Sequence, residues 1–335
     1  MKTFTRKHRK FAALICFTII GVCSLFVVSH AVYHRSVMAT LSEAAMVLVD
    51  RDKIYEEGEA YQANLKLRKK ENLKEHTIPS GVKMSVGYRS VYEHYMQVVY
   101  FNEEAFSDTI IIYIPGGGYV NNPLKFHWKL INTLAEETGN PVLMPVYLKL
   151  PNYSCEASYM AMTEFYLDVA TRPGVERIIF AGDSSGGGLS LALAQLLRDE
   201  HPDVLQPEEL ILIAPWLDVS MENEEIADYE AIDPMLDIYG AQELGEKWAG
   251  ARGTKDPLVS PVYGTFENLG RITMFIGTRD MLCPDVLKFS GMLNEQGIEH
   301  TLIVKKGLDH PYPLFPTPEA AEAQQTMIDV INGKR

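Results

Sequence analysis

The spacing of apolar and polar positions changes several times along the 335 residues, and each change predicts an element. Residues 11–28, FAALICFTIIGVCSLFVV, carry no charge, and the apolar character continues weakly to Tyr33. That length meets the criterion for a membrane span. Residues 36–76 read as helix, with a stripe at Met38, Leu41, Ala45, Leu48 and Val49 followed by a charge-rich stretch ending in LRKKENLKEH. From Val82 the period shortens, and VKMSVGYRSVYEHYMQVVYFNEE predicts two β-strands. Short apolar runs then alternate with helical periods. TIIIYI (109–114), PVLMPVYL (141–148), IIFAG (178–182), LILIAPW (210–216), ITMFIG (272–277) and HTLIVKK (300–306) read as strands. Residues 123–137, 156–170, 189–197, 284–296 and 318–332 read as helices. Unbroken apolar runs fit strands buried on both faces. Strands alternating with helices imply a mostly parallel sheet flanked by helices. Residues 221–250 interrupt this rhythm, acidic and irregular before turning helical around Ala241 to Trp248.

The expected organisation is a basic tail at 1–10, an apolar anchor or signal segment at 11–33, and a helical lead-in at 36–76. An α/β domain follows at 80–335, with an insertion near 221–250. The insertion and the lead-in are the candidate cap. The basic flank predicts a cytoplasmic N-terminus and an exported body. An uncleaved single-pass anchor is favoured over a cleaved signal peptide because the apolar core exceeds the usual length of about 7–15 residues. Ser29-His30-Ala31 offers small residues where cleavage would occur, so secretion stays open.

Net charge sharpens this picture. The chain carries −13 overall, while its first 35 residues hold six bases and no acid. So acidic a body argues against nucleic acid or anionic lipid as its partner. With 47% hydrophobic and 22% charged residues the composition is globular. Of the four cysteines, Cys16 and Cys23 fall in the apolar segment, and Cys155 and Cys283 are far apart. Two free thiols are expected, a single disulfide stays possible, and no spacing suggests a metal.

The candidate chemistry centres on ERIIFAGDSSGGGLSLALAQLL, residues 176–197. Strand, tight turn and helix are the context in which G-x-S-x-G forms a nucleophile elbow, here Gly182-Asp183-Ser184-Ser185-Gly186. A serine hydroxyl needs a base, and the base an orienting acid. In this architecture they follow in the order acid, then His. Asp280 follows the strand ITMFIG and His310 the strand HTLIVKK. Asp309 adjoins the base on the same loop; Asp285 reads as a helix cap and Asp256, before Pro257, as a turn residue. His300 lies inside a strand, and His127, His201 and His94 have no matching acid. Backbone N–H groups of Gly116, Gly117 and Ser185 are the expected oxyanion donors.

On these motifs the chain resembles the hormone-sensitive-lipase-like branch of the α/β-hydrolases. That branch pairs an HGGG-type loop with a GDSAGG elbow; here they read Pro115-Gly116-Gly117-Gly118 and Gly182-Asp183-Ser184-Ser185-Gly186-Gly187. Ala214-Pro215-Trp216-Leu217-Asp218 and Asp256-Pro257-Leu258-Val259-Ser260-Pro261 are also similar to family segments. The resemblance covers about 108–330. It implies an α/β-hydrolase fold with a helical cap, and hydrolysis of a small carboxylic ester without cofactor or metal. Pro115 departs from the family, whose His at this position helps hold the loop. A deacetylase of glycans or small molecules is the related alternative. A non-catalytic binding protein on a hydrolase fold is the alternative from another class.

Overall fold

The computed structural model of the protein describes residue 18, residues 21–49 and residues 59–334. Eight strands form one sheet in the order β1-β2-β4-β3-β5-β6-β7-β8. They are β1 (Tyr88–Glu93), β2 (Met96–Phe101), β3 (Thr109–Ile114), β4 (Val142–Val146), β5 (Arg177–Asp183), β6 (Glu209–Ile213), β7 (Arg271–Gly277) and β8 (His300–Lys305). β2 pairs antiparallel with both β1 and β4, and every pairing from β4 through β8 is parallel. Every residue of the edge strands β1 and β8 is at least partly exposed. Every residue of β2, β3 and β6 is buried, as expected for strands covered on both faces.

Helices α1 (Val37–Val49), α2 (Glu59–Glu71), α3 (Lys125–Thr138), α4 (Cys155–Ala170), α5 (Ser185–Glu200), α6 (Ile226–Glu230), α7 (Ile238–Ala249), α8 (Cys283–Glu295) and α9 (Pro318–Ile331) accompany the sheet. Two apolar cores result. One sets α4, α5 and α8 against one side of the sheet, around residues such as Phe165, Leu193 and Phe289. The other sets α3 and α9 against the opposite side, around Trp128, Leu134 and Met327. The parallel register, with Ile114 opposite Gly182 and Ile213 opposite Asp183, brings the carboxyl ends of β3, β5, β6 and β7 to one edge. Such an edge is where α/β sheets place their ligand sites.

The strands fall where the residue pattern puts them, with shifted ends. β6 stops at Ile213, and Ala214 takes a positive φ of 43° at the turn that follows. The lead-in at 36–76 is two helices, and residues 50–58 between them lie outside the described residues. Residues 11–17, 19 and 20 of the expected membrane segment also lie outside them. Among the described residues no helix is long and apolar enough to cross a membrane. What is described of the segment ends in a π-helical turn, Val28–Val32, where Ser29 is fully buried. Cys155 and Cys283 are buried free thiols, not a disulfide.

Candidate active site

The elbow is built by close packing. Ser184 closes β5 and precedes α5 with φ 53° and ψ −125°, a strained conformation for a residue bearing a Cβ. Its N–H donates to the Ile213 carbonyl at 2.8 Å, and its own carbonyl accepts from Trp216 N–H at 2.9 Å. A Cβ on Gly186 would lie 2.0 Å from the Ile114 carbonyl oxygen, and one on Gly182 2.6 Å from the Gly186 oxygen. The two flanking glycines are therefore steric requirements of the turn.

Asp280 and His310 come together as expected, from the loops after β7 and β8. His310 Nδ1 is 2.8 Å from Asp280 Oδ2, and both side chains are buried. Burial, the largest influence on His310, favours the neutral ring. The charge and hydrogen bond of Asp280 outweigh it, aided by Asp233 and Asp183, and raise the His310 pKa above 6.5. Ser184 and His310 both line a cavity of about 320 Å³, with Trp216, Leu236, Leu244 and Phe315 among its apolar walls. Among the described residues no hydrogen bond yet joins Ser184 Oγ to His310; such contacts often close only around substrate.

The Gly-rich loop departs from the expected donor set. Gly116 does not line the cavity, and its N–H donates to Asp183 Oδ1 at 3.0 Å. Gly117 and Gly118 line it instead, at φ 133° and 62°. The N–H of Ser185, at the first turn of α5, belongs to the set that no intrahelical carbonyl can satisfy.

Asp183, the residue before the nucleophile candidate, ties down the Gly-rich loop. It accepts from the Tyr113 hydroxyl at 2.7 Å, from Gly116 N–H, and from His127 Nε2 at 3.1 Å. Burial alone would raise its pKa, but these three partners, His127 first, pull it below the ordinary carboxylate value. His127 thus has an acid partner, contrary to the expectation from sequence. Its Nδ1 accepts the Leu124 N–H at 2.8 Å, which leaves the proton on Nε2. Eleven residues of chain separate His127 from Pro115, so no motif announces it.

Two further groups act on the loops that carry Asp280 and His310. Asp233, half-buried in the 221–250 insertion, accepts from Met281 N–H at 2.8 Å and from Met235 and Leu236 N–H at 2.7 and 3.0 Å. It ties the insertion to the residue after Asp280. Burial and the Asp280 charge push it up to about 6. The second group comes from the N-terminal lead-in. Arg35 donates to the Gly307 carbonyl at 2.9 Å, pairs with Asp309 at 3.3 Å, and pairs with Glu43. Arg279 bridges the same two acids, at 3.2 Å to Asp309 and 2.7 Å to Glu43. The neighbours of Asp280 and His310 are therefore joined to each other and to α1. Asp309 is engaged in this cluster and does not compete for the base. Asp285 bonds Asn223 at 2.8 Å, and Asp256 caps its own turn through Leu258 N–H at 2.9 Å.

The insertion forms one cavity wall through Met235, Leu236, Gly240 and Leu244. Of the lead-in, Arg68 of α2 reaches the cavity; α1 packs beside the His310 loop.

A family profile described as the alpha/beta hydrolase fold matches residues 111–314. The chain belongs to the α/β-hydrolase family. Among curated relatives of this α/β-hydrolase, a Mycobacterium tuberculosis triacylglycerol lipase is 28% identical over 207 residues, 62% of this chain and 40% of the relative. The acetyl-hydrolase LipR of the same organism, provisionally named so, is 31% identical over 219 residues, 64% of this chain and 69% of the relative. The chain thus spans well under two thirds of the lipase's length. A provisionally assigned Staphylococcus aureus esterase superposes with a TM-score of 0.78 at 28% identity, covering 83% of this chain and 94% of the other. An esterase of the bacterial hormone-sensitive lipase family gives 0.72 at 20% identity over 86% and 96%, a likeness of fold.

Proposed function

We propose that this α/β-hydrolase is a serine carboxylic-ester hydrolase acting on short to medium acyl esters. The observation that carries the reading is the Asp280–His310 pair at 2.8 Å beside the strained Ser184 on one apolar cavity. Ser184 Oγ attacks the ester carbonyl as His310 takes its proton; Asp280 orients the imidazole and offsets its charge. The N–H groups of Gly117, Gly118 and Ser185 receive the oxyanion. His310 returns the proton to the leaving alcohol, and water activated by the same ring releases the acid. At about 320 Å³ the cavity lies at the small end of ligand pockets and has mostly apolar walls, which favours compact esters. Esterase, lipase and acetyl-hydrolase names among the relatives support the class. Export by an anchor or after cleavage rests on the residue pattern of 1–33 alone.

The test is hydrolysis of nitrophenyl esters from acetyl to dodecanoyl, with Ser184→Ala alongside. Turnover that peaks at short or medium chains and disappears in the folded variant is expected. Residual esterase activity in that variant would remove Ser184 from its role. Activity confined to acetyl esters would favour the deacetylase. A folded protein with neither turnover nor fluorophosphonate labelling would favour the binding-protein reading.

A further inference from the structure

A second cavity of about 420 Å³ lies across the Gly-rich loop from the catalytic one. Consecutive residues of that loop separate the two: Asn121 lines the catalytic cavity and Asn122 the second. The second cavity belongs to the β1–β2–β4 end of the sheet and to the stretch after α2, and nothing in the proposed hydrolysis uses it.

Its distinguishing group is Lys149. The residue is only 4% exposed, yet it lines the cavity. Its Nζ donates to Asn122 Oδ1 at 3.0 Å and stands 5.2 Å from the centre of the Tyr147 ring. Among the described residues no carboxylate pairs with it. Burial lowers its pKa to about 7 with no acidic neighbour to offset the effect. Burying an ammonium against one neutral acceptor and a ring is unfavourable, and buried charges are ordinarily paired. Among the described residues a chain with a net charge of −13 nevertheless pairs no acid with Lys149.

The other charged lining groups are Lys74 and Glu75, both exposed, and Lys74 is paired with Glu71 at 2.7 Å. The mouth is aromatic: Tyr92, Tyr95 and Tyr153 are 77%, 59% and 40% exposed. Large exposed rings around a concave site mark a surface that binds something flat and apolar. One buried cation, an acid at the rim and an acidic protein favour a monoanion over a phosphate dianion.

We propose that this cavity is a second ligand site, which takes a small carboxylate with a flat apolar body, its carboxylate on Lys149 and its body among Tyr92, Tyr95 and Tyr153. The ligand replaces the missing acid, and a charge-assisted bond in a desolvated site is stronger than its exposed counterpart.

The experiment is calorimetric titration of the full chain with benzoate and, separately, with inorganic phosphate. Lys149→Met and the double variant Tyr92→Ala, Tyr153→Ala are titrated in parallel, with circular dichroism to verify folding. Saturable one-to-one benzoate binding is expected. It weakens at least about tenfold in Lys149→Met, as loss of the buried cation that lines this cavity requires. It weakens less in the double variant, whose substitutions are exposed and leave the core intact. Phosphate binds more weakly than benzoate. Three results would overturn the proposal. One is equal benzoate binding by folded Lys149→Met, which places the anion in the catalytic cavity. Another is phosphate binding tighter than benzoate. The last is no benzoate binding to wild type or double variant, which leaves Lys149 as a prop for Asn122. Ester hydrolysis plays no part in the readout, so failure of the esterase reading leaves this test standing.

Discussion

Two buried histidine–carboxylate pairs flank Ser184, and they differ in one respect that matters. His310 meets Asp280 at 2.8 Å and His127 meets Asp183 at 3.1 Å, with all four side chains buried. Both rings also border the cavity that Ser184 lines. His127, however, has both nitrogens engaged, Nδ1 by Leu124 N–H and Nε2 by Asp183. Among the described residues His310 is engaged only through Nδ1, which leaves its Nε2 open for the proposed proton transfer from Ser184. The same pair of residue types thus makes a structural strut in one place and a candidate base in the other. A ring nitrogen left without a hydrogen bond among the described residues is what separates them, not burial or the presence of an acid.

The comparison can be broken most severely at the acid. Asp280→Asn keeps the shape but loses the charge and the tautomer control, and kcat is expected to fall about 10⁴-fold with the fold intact. Comparable loss in Asp183→Asn with full activity in Asp280→Asn would reverse the two roles. Arg35→Met should act next most strongly, through stability. Its side chain is 1% exposed and holds Asp309 and the Gly307 carbonyl beside His310. Leaving Asp309 and Glu43 short of a partner is expected to destabilise by about 3 kcal/mol, read as a lower urea midpoint, with KM little changed in the surviving folded protein. An unchanged midpoint would show that Arg35 does not brace the loops that carry Asp280 and His310. His127→Gln should have the smallest effect, since Gln can still donate to Asp183. Turnover within about tenfold of wild type is expected, because a hydrogen bond to a charged group is worth about 1.5–3 kcal/mol and part of it survives.

Much of this was legible in the residue pattern, for reasons that differ by region. β3, β5 and β6 are covered on both faces, so their apolar runs announce them. Ser184, Asp280 and His310 each follow a readable strand, and chain order does the rest. The oxyanion loop was only partly readable. Three consecutive glycines look alike until the fold commits the Gly116 N–H to Asp183 and leaves Gly117 and Gly118 on the cavity. Long-range polar partners were not readable at all. His127 and Asp183 are 56 residues apart, Arg35 and Asp309 274, and nothing in either segment marks its partner. Lys149 is invisible for the same reason, since an isolated lysine in a loop gives no hint that the fold will bury it.

The central claim is that His310, and not His127, activates Ser184. The most direct measurement is the rate at which a fluorophosphonate labels Ser184 in wild type, His310→Gln and His127→Gln across pH. A base must be unprotonated to accept the serine proton, and Asp280 raises the His310 pKa above 6.5. Labelling by wild type should therefore rise with pH through that raised value and fall away below it. His127→Gln is expected to keep both the rate, within about tenfold, and the position of this limb. His310→Gln is expected to label negligibly at every pH. Labelling by folded His310→Gln with the limb retained, and its loss in folded His127→Gln, would contradict the account.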